Sequence, residues 1–593
     1  MTSPDRLFDP DPFDIGAGGV AGAPADDDRP GTAVRIVPDV SGLDREFDYV
    51  VEPDDVPDLS VGSLVRIELN HRTVMGWVTA VGLDGPPGVT LRPVTGIVSA
   101  GPSPDVVELA RWAAHRWAGR LAAVLKTASP PRRVPARLPP PPSRPSPGAR
   151  VTVNRYPPAA DLVALVARLA ADGGDTIVVT PRLGQARHLA GRLRSHHGLT
   201  TRIHPRDWPA AAARGGVVLG ARSAVWARVP ALGAIVVVDE HDEALQEERN
   251  PTWHAREVAV ERAVRAGVPC HLISPSPSLV ALGRADTVEA PSRSAERTGW
   301  PLVEVVDRRN EEPGRGGLFS ARVAAVARGT GSVLAVLNRR GRAIMLACAT
   351  CGELVRTEDG EHLMVERDGR LHSPATGETR PLVCASCGGT ALKRLRLGVT
   401  RAAEELSALA GEPVAEISAD TSLDRLPRVM VGTEAALHRV LAVDTVVFLD
   451  IDQELLAPRY RAGEQAMALL VLAARLVGGR GEGGRLVVQT RLPGHRVLEA
   501  AVRADPDRFA RAESELRRPM GWPPFGALAE VSGPGAATLA ATLAGDERLT
   551  VLGPRHDDRY LVRADDPGTL ARALASADRP PERVRVAVDP PRA

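Results

Sequence analysis

Leu232-Gly-Ala-Ile-Val-Val-Val-Asp-Glu-His241 is the stretch on which the fold turns. From Ile235 to Val238 four apolar β-branched side chains follow one another without alternation, and the run then stops on Asp239, Glu240 and His241. A strand with one wet face would alternate polar and apolar residues. An unbroken run predicts a strand buried on both faces, the setting of a parallel sheet covered by helices.

Outward from this run, comparable strands are predicted at Thr176–Thr180, Val217–Leu219 and His271–Ile273, with amphipathic helices at Asp161–Ala171, Arg182–Arg194 and Arg256–Ala266. The theme repeats at Val333–Leu337, Val414–Ile417, Val429–Val431, Thr445–Leu449 and Leu486–Gln489, with helices at Arg401–Leu409 and Ala466–Leu476. Strands alternating with helices predict two tandem α/β domains, one over 151–290 and one over 291–345 and 390–524. A chain of 593 residues has room for more. Short β-type runs between Ala33 and Val81 predict a small β-domain over 31–100. A helix follows over 101–128, with Val106, Leu109, Ala110, Ala113, Trp117 and Leu121 on one face. Nine prolines between Pro130 and Pro147 rule out helix or central strand there and predict an extended linker over 129–150. Residues 525–593 read as a smaller α+β domain, and the acidic, Gly/Ala/Pro-rich residues 1–30 as a disordered tail.

Charge separates few function classes: 74 basic and 73 acidic side chains leave +1, so bulk charge does not announce a nucleic-acid binder. The N-terminus lacks the basic and apolar regions of a signal peptide, and no apolar run reaches 18 residues, so a cytoplasmic chain with no membrane partner is expected. Five cysteines are too few for a disulfide framework, but four are patterned: Cys348-Ala-Thr-Cys351-Gly and Cys384-Ala-Ser-Cys387-Gly. Two such knuckles supply four thiolates to a tetrahedral zinc ion, and a closed thiolate set is structural because catalytic zinc keeps a place for water. One structural Zn²⁺ per chain is therefore expected, in an insert over 346–389. Cys270 reads as a core residue, and His362 and His372 as solvated.

Tandem α/β domains raise the possibility of a nucleotide-driven motor, which a phosphate-binding loop would betray. No Gly-x₄-Gly-Lys-Ser/Thr occurs. The only lysines, Lys126 and Lys393, each follow a leucine rather than a glycine-rich loop, and arginine is no substitute for a compact ammonium in that cradle.

Many local stretches resemble the primosomal protein N′, or PriA, replication-restart helicase family. Leu43-Asp44-Arg45-Glu46-Phe47-Asp48-Tyr49, with Val61-Gly62 and Arg66, resembles that family's 3′-DNA-end-binding domain. Gly220-Ala-Arg222-Ser223-Ala224-Val-Trp226, Leu232-Gly233 and Pro251-Thr-Trp-His254-Ala255-Arg256 resemble its first lobe. Leu337-Asn338-Arg339-Arg340-Gly341, Gly432-Thr433, Asp450-Ile-Asp452, Tyr460-Arg461 and Gln489-Thr490 resemble its second, closed by Glu515-Leu516-Arg517-Arg518 and Gly521-Trp522-Pro523-Pro524-Phe525. The resemblance implies two RecA-like lobes, an N-terminal β-domain, a zinc-ribbon insert and a C-terminal α+β domain. It also implies that Phe47, Asp48 and Tyr49 bind DNA, by ring stacking and a carboxylate accepting from a base edge or hydroxyl.

The departures fall on the motor parts. In register with the family, its magnesium-binding Asp falls on Val238 and its catalytic Glu on Asp239; its motif III reads Ser274-Pro-Ser276-Pro277, and its motif V reads Gly432-Thr433-Glu434 without lysine. The Gln and two arginines of its motif VI fall on Leu472, Leu476 and Gly479. Arginines of that kind stabilise transition-state charge by orders of magnitude in rate. Four of the family's eight cysteines are absent, implying one zinc instead of two, and the linker stands where a winged helix is usual. The expectation is a divergent replication-restart primosome component with degenerate helicase motifs. It would bind forks, 3′ ends and single strands, dock the helicase-loading machinery, other primosome proteins or single-strand-binding protein, and have no motor. The alternative is an active ATP-dependent 3′-5′ DNA helicase with an unconventional ATP site.

Overall fold

In the computed structural model of the chain, the described residues lie between 31 and 592, excluding 86–87, 136–137, 139–147, 172, 310–317, 338–344, 352–354, 356, 359–363, 368, 374–376, 396–398, 419–420, 422–425 and 556–557. The expected disordered tail, most of the proline linker with Arg137 and Arg144, the Asn338–Gly341 stretch and His362 lie outside them. The chain forms two compact units. The first comprises 1–154, 161–289 and 514–593, and the second comprises 155–160 and 290–513.

The first unit begins with a five-stranded sheet in the order Phe47–Val51, Thr32–Pro38, Arg72–Leu83, Leu64–Leu69, Gly96–Ser99, with antiparallel ladders. Alternation along these strands buries Val34, Ile36, Tyr49, Val51, Val65, Ile67 and Val78 in one core. The single helix expected over 101–128 is two helices, Pro104–Arg116 and Leu121–Ala128, broken where Ala118 turns to φ +47°. Apolar periodicity runs through the break because both helices pack into the same core, from Val106 to Ala128. The start of the proline stretch is docked: Val134 is buried with Ala100, Trp208 and Ala212, and its N–H donates to Ser99 Oγ at 3.0 Å.

Seven strands form the next sheet, in the order Thr287–Glu289, Arg150–Arg155, Pro269–Ser274, Leu232–Val238, Asp175–Val179, Val217–Gly220, Thr201–Ile203. The Leu232–Val238 strand is central and parallel to its neighbours on both sides, with Ala234 to Val238 wholly buried. The C-terminal domain runs strand, helix, strand, strand, helix, strand, with the sheet order Leu549–Arg555, Arg559–Ala564, Ala527–Ser532, Arg585–Val588. Its last strand is tied to the Gln246–His254 loop: Thr252 Oγ1 donates to Val588 O at 2.9 Å, and Gln246 Nε2 donates to Asp589 O at 2.8 Å.

The second unit holds a six-stranded, all-parallel sheet in the order Leu302–Asp307, Arg485–Thr490, Thr445–Phe448, Val333–Val336, Val429–Gly432, Ala415–Ile417. The half-buried edge strand Leu302–Asp307 was not signalled by the sequence, because Glu304 interrupts its apolar residues and leaves no continuous run. Residues Ala462–Glu482 include the one described helix long and apolar enough to cross a membrane, and 67% of its most apolar window is buried inside the protein. The insert pairs Met345–Cys348 with Leu392–Leu395 and adds a three-stranded sheet, Val365–Arg367, Arg370–His372 and Thr379–Pro381.

Candidate nucleic-acid interface and metal centre

Asp48 lies directly across the ladder from Arg35, and the two meet as a planar pair: Nε to Oδ1 at 2.8 Å and Nη2 to Oδ2 at 3.1 Å. The bond to Asp48 raises the pKa of Arg35. Period-two alternation sends Phe47 and Tyr49 to the other face. Tyr49 is 4% exposed, and its hydroxyl donates to the carbonyl of Glu68 at 3.0 Å; burial raises its pKa. Phe47 is half-buried against the same core. The three residues singled out from sequence are thus contiguous but divided. Asp48 with Arg35 and the edge of Phe47 are accessible, while Tyr49 supports the strand from behind.

The segment entering the strand is anchored by Glu46. It accepts from Arg111 Nη1 and Nη2 at 3.0 and 2.9 Å and from Thr79 Oγ1 at 2.7 Å. Burial works to raise its pKa, but the bonds from Arg111 and Thr79 prevail and hold it below the ordinary glutamate value. Gly62 sits at φ +93°, where a Cβ would lie 1.8 Å from the carbonyl oxygen of Pro102, so only glycine fits. Sequence reasoning missed Arg35 and Arg111. Arg35 interrupts the otherwise apolar run Ala33 to Val37, and this polar residue within a strand was the available signal.

In the second unit, the sulfurs of Cys348, Cys351, Cys384 and Cys387 all lie within 4.8 Å of one another. Cys348 and Cys387 are 3.4 Å apart, and Cys351 and Cys384 are 3.6 Å apart. Four ligands at about 2.3 Å around a tetrahedral zinc stand about 3.8 Å from each other, so the donor set fits the ion. The N–H groups of Cys351 and then Thr350 push the Cys348 thiol down to about 6, which favours the thiolate a metal requires. A Cβ on Gly389 would lie 3.1 Å from Cys348 Sγ and 3.3 Å from Cys387 Sγ, so glycine leaves the sulfurs their room. Leu346, just ahead of the first knuckle, and Val355, Met364 and Leu371 between the two form a buried apolar cluster, a second source of cohesion for the insert.

At the end of the Leu232–Val238 strand, Val238 is 1% exposed. Asp239 turns to φ +55° and accepts from Gln185 Nε2 at 2.9 Å. Glu240 is fully buried. It accepts from Arg256 Nη1 at 3.0 Å, from the N–H of Ser278 at 2.7 Å and from its hydroxyl at 2.8 Å. His241 Nδ1 lies 2.8 Å from Ser274 Oγ, and Asp242 accepts from Arg182 at 3.1 Å. These groups are committed to one another at the sheet edge where open α/β folds usually place ligands.

A small antiparallel β-domain, a tetrathiolate insert and two parallel-sheet lobes define a multidomain α/β protein. Residues 35–130 match the family model described as the 3′DNA-binding domain (3′BD) of PriA. The chain is 30% identical over 593 residues to the probable replication restart protein PriA of Mycobacterium bovis, covering 87% of this chain and 89% of that protein. It is 26% identical over 408 residues to the replication restart protein PriA of Bacillus subtilis, a match that covers 62% of this chain and half of that protein. The chain belongs to the PriA replication restart protein family. Solved structures of RecG bound to a three-way DNA junction (13% identity, 62% of this chain and 44% of that chain) and of yeast Dbp5 bound to RNA and ADP BeF3 (11%, 62% and 89%) each give a TM-score of 0.34. At these scores the likeness fixes no residue correspondence.

Proposed function

We propose that this chain is a cytoplasmic replication-restart component that holds forked or 3′-ended DNA and docks the proteins that reload the replication machinery, without ATP-driven unwinding of its own. Asp48, with Phe47 beside it and Tyr49 behind it, is the 3′-end contact in this reading. One zinc on Cys348, Cys351, Cys384 and Cys387 holds the insert that presents single-strand and partner contacts.

The observation that carries the non-motor part is Val238. An apolar, buried isopropyl group stands where the family's magnesium ligand falls, in a chain whose two lysines lie outside any phosphate loop. Magnesium needs oxygen ligands and ordered waters, and valine supplies neither. Leu472, Leu476 and Gly479 at the motif VI positions add no cation to a transition state. Asp239 and Glu240 are still carboxylates, and they are the residues an unconventional ATP site would use.

Steady-state ATP hydrolysis by the full chain, with and without forked DNA, tests this reading. No DNA-stimulated turnover is expected; turnover abolished by Asp239→Asn would establish the motor instead. Binding to forks with free and with 3′-phosphorylated ends, at fixed salt, tests the end contact, and equal affinity would remove it. Metal analysis should return one zinc per chain, and two would contradict the ligand count.

A further inference from the structure

The second unit carries a concavity of about 410 Å³ lined by Arg293, Ser294, Arg297, Thr298, Arg480 and Gly481. Two short elements build it, the helix Arg293–Gly299 and the 3₁₀ turn Arg480–Glu482. Each precedes one of two neighbouring parallel strands, Leu302–Asp307 and Arg485–Thr490. The concavity therefore opens at the amino-terminal edge of the sheet. None of the residues at the motif VI positions, Leu472, Leu476 and Gly479, is among those lining it.

Its charge is one-sided. Arg293 and Arg297 are four apart on one helix and so share a face, an arrangement of like charges that weakens an isolated helix. Arg480 joins them from the other element. Among the described residues neither Arg297 nor Arg480 meets a carboxylate. The acids nearest in sequence are occupied: Glu296 points inward to Arg155 and Trp300, and Glu482 accepts from the N–H of Gly479 at 3.1 Å. Arg293 is held by donating to the carbonyl oxygens of Arg503 and Ala504, which fixes its guanidinium in place. Ser294 and Thr298 add hydroxyl groups, and no aromatic or large apolar side chain lines the space.

Three guanidinium groups around a water-accessible hollow repel one another until an anion enters, and planar nitrogen forks match phosphate oxygens. A hollow without a stacking surface cannot select a base. We infer that this concavity binds a phosphate-rich anion through Arg293, Arg297 and Arg480, without base selectivity. Two sources share that chemistry, a free polyphosphate or nucleotide tail and the backbone of a nucleic-acid strand. The site is independent of the 3′-end contact, which lies in the other unit.

Calorimetric titration of the full chain with inorganic pyrophosphate tests it, alongside Arg297→Gln, Arg480→Gln and the double variant, with thermal melting as the check on folding. Saturable binding is expected, weakened about tenfold or more by either single change and lost in the double. ATP and GTP should bind alike. Displacement of pyrophosphate by an oligonucleotide lacking terminal phosphates would assign the site to strand backbone, and failure to displace would assign it to free polyphosphate. Absence of pyrophosphate binding in the unaltered chain, or unchanged affinity in the folded double variant, would overturn the assignment.

Discussion

Two arginine–carboxylate pairs stand in the first unit under opposite conditions. Asp48 and Arg35 meet on the β-domain with 22% and 42% of their side chains exposed; Glu240 and Arg256 meet beside the lobe-one sheet with 0% and 3% exposed. The chemistry is the same, but the surroundings decide what each pair can do. Water already solvates the first pair, so exchanging Arg35 for a ligand donor costs little. The second pair is dry, and Glu240 is further bound by both donors of Ser278. Opening it would strand a buried charge. One side-chain pairing is therefore open to exchange in one place and locked in the other, separated by burial.

Breaking the dry pair should give the largest effect. Glu240→Ala removes a buried carboxylate from the Arg256 guanidinium, which still meets Glu257 and Ser278, and should destabilise the first unit by roughly 3–5 kcal/mol, read by urea denaturation. A loss under about 1 kcal/mol would place this pair with the solvated ones and erase the contrast. Asp48→Asn should do the reverse. Stability should change by less than about 1 kcal/mol, while affinity for a free 3′ end should fall by about 1.5–3 kcal/mol, roughly 10-fold to 150-fold, as a charged acceptor is lost. Unchanged end affinity in a stable Asp48→Asn protein would move the contact elsewhere. Tyr49→Phe separates support from contact: it removes one bond to Glu68 O and should cost about 1 kcal/mol of stability with no direct loss of end binding. A drop in affinity as large as that of Asp48→Asn would make the Tyr49 hydroxyl a contact in its own right.

How far these regions were legible beforehand follows from the same contrast. Ile235 to Val238 spoke plainly because a strand buried on both faces has no polar interruption, and the four cysteines did so because a donor set able to hold a metal ion has a fixed spacing. Phe47-Asp48-Tyr49 was legible as a segment, but its division into accessible Asp48 and buried Tyr49 needed the register against Arg35, a pairing thirteen residues distant. The break at Ala118 was hidden because both helices face one core. The arginine hollow was not legible at all. Arg297 and Arg480 are 183 residues apart in the chain, and among 74 basic residues neither position carries a signal of its own.

The smallest effect belongs to the anchor of the β-domain, Glu46. Its carboxyl is held below the ordinary value of 4.5 although burial opposes this, because Arg111 and Thr79 donate to it. A carboxyl with a lowered folded pKa binds fewer protons folded than unfolded between the two values. Its contribution is therefore fully present above the unfolded pKa and is lost as pH falls through the folded one. Arg111→Met removes the main donor. The variant should be less stable than the unaltered chain at pH 7, and the gap should narrow as pH drops below 4.5, since protonated Glu46 no longer gains from Arg111. Carboxylates that do not meet Arg111 cancel in the difference, and Glu108, 3.7 Å from Arg111 Nε with 61% of its side chain exposed, is screened by solvent. With Arg111 and Glu46 partly exposed at 41% and 25%, solvent screens the pair, which is why this effect ranks below the others. A gap that stays constant from pH 7 to below 4.5 would mean that Arg111 acts through packing of its stem and not through the charge of Glu46.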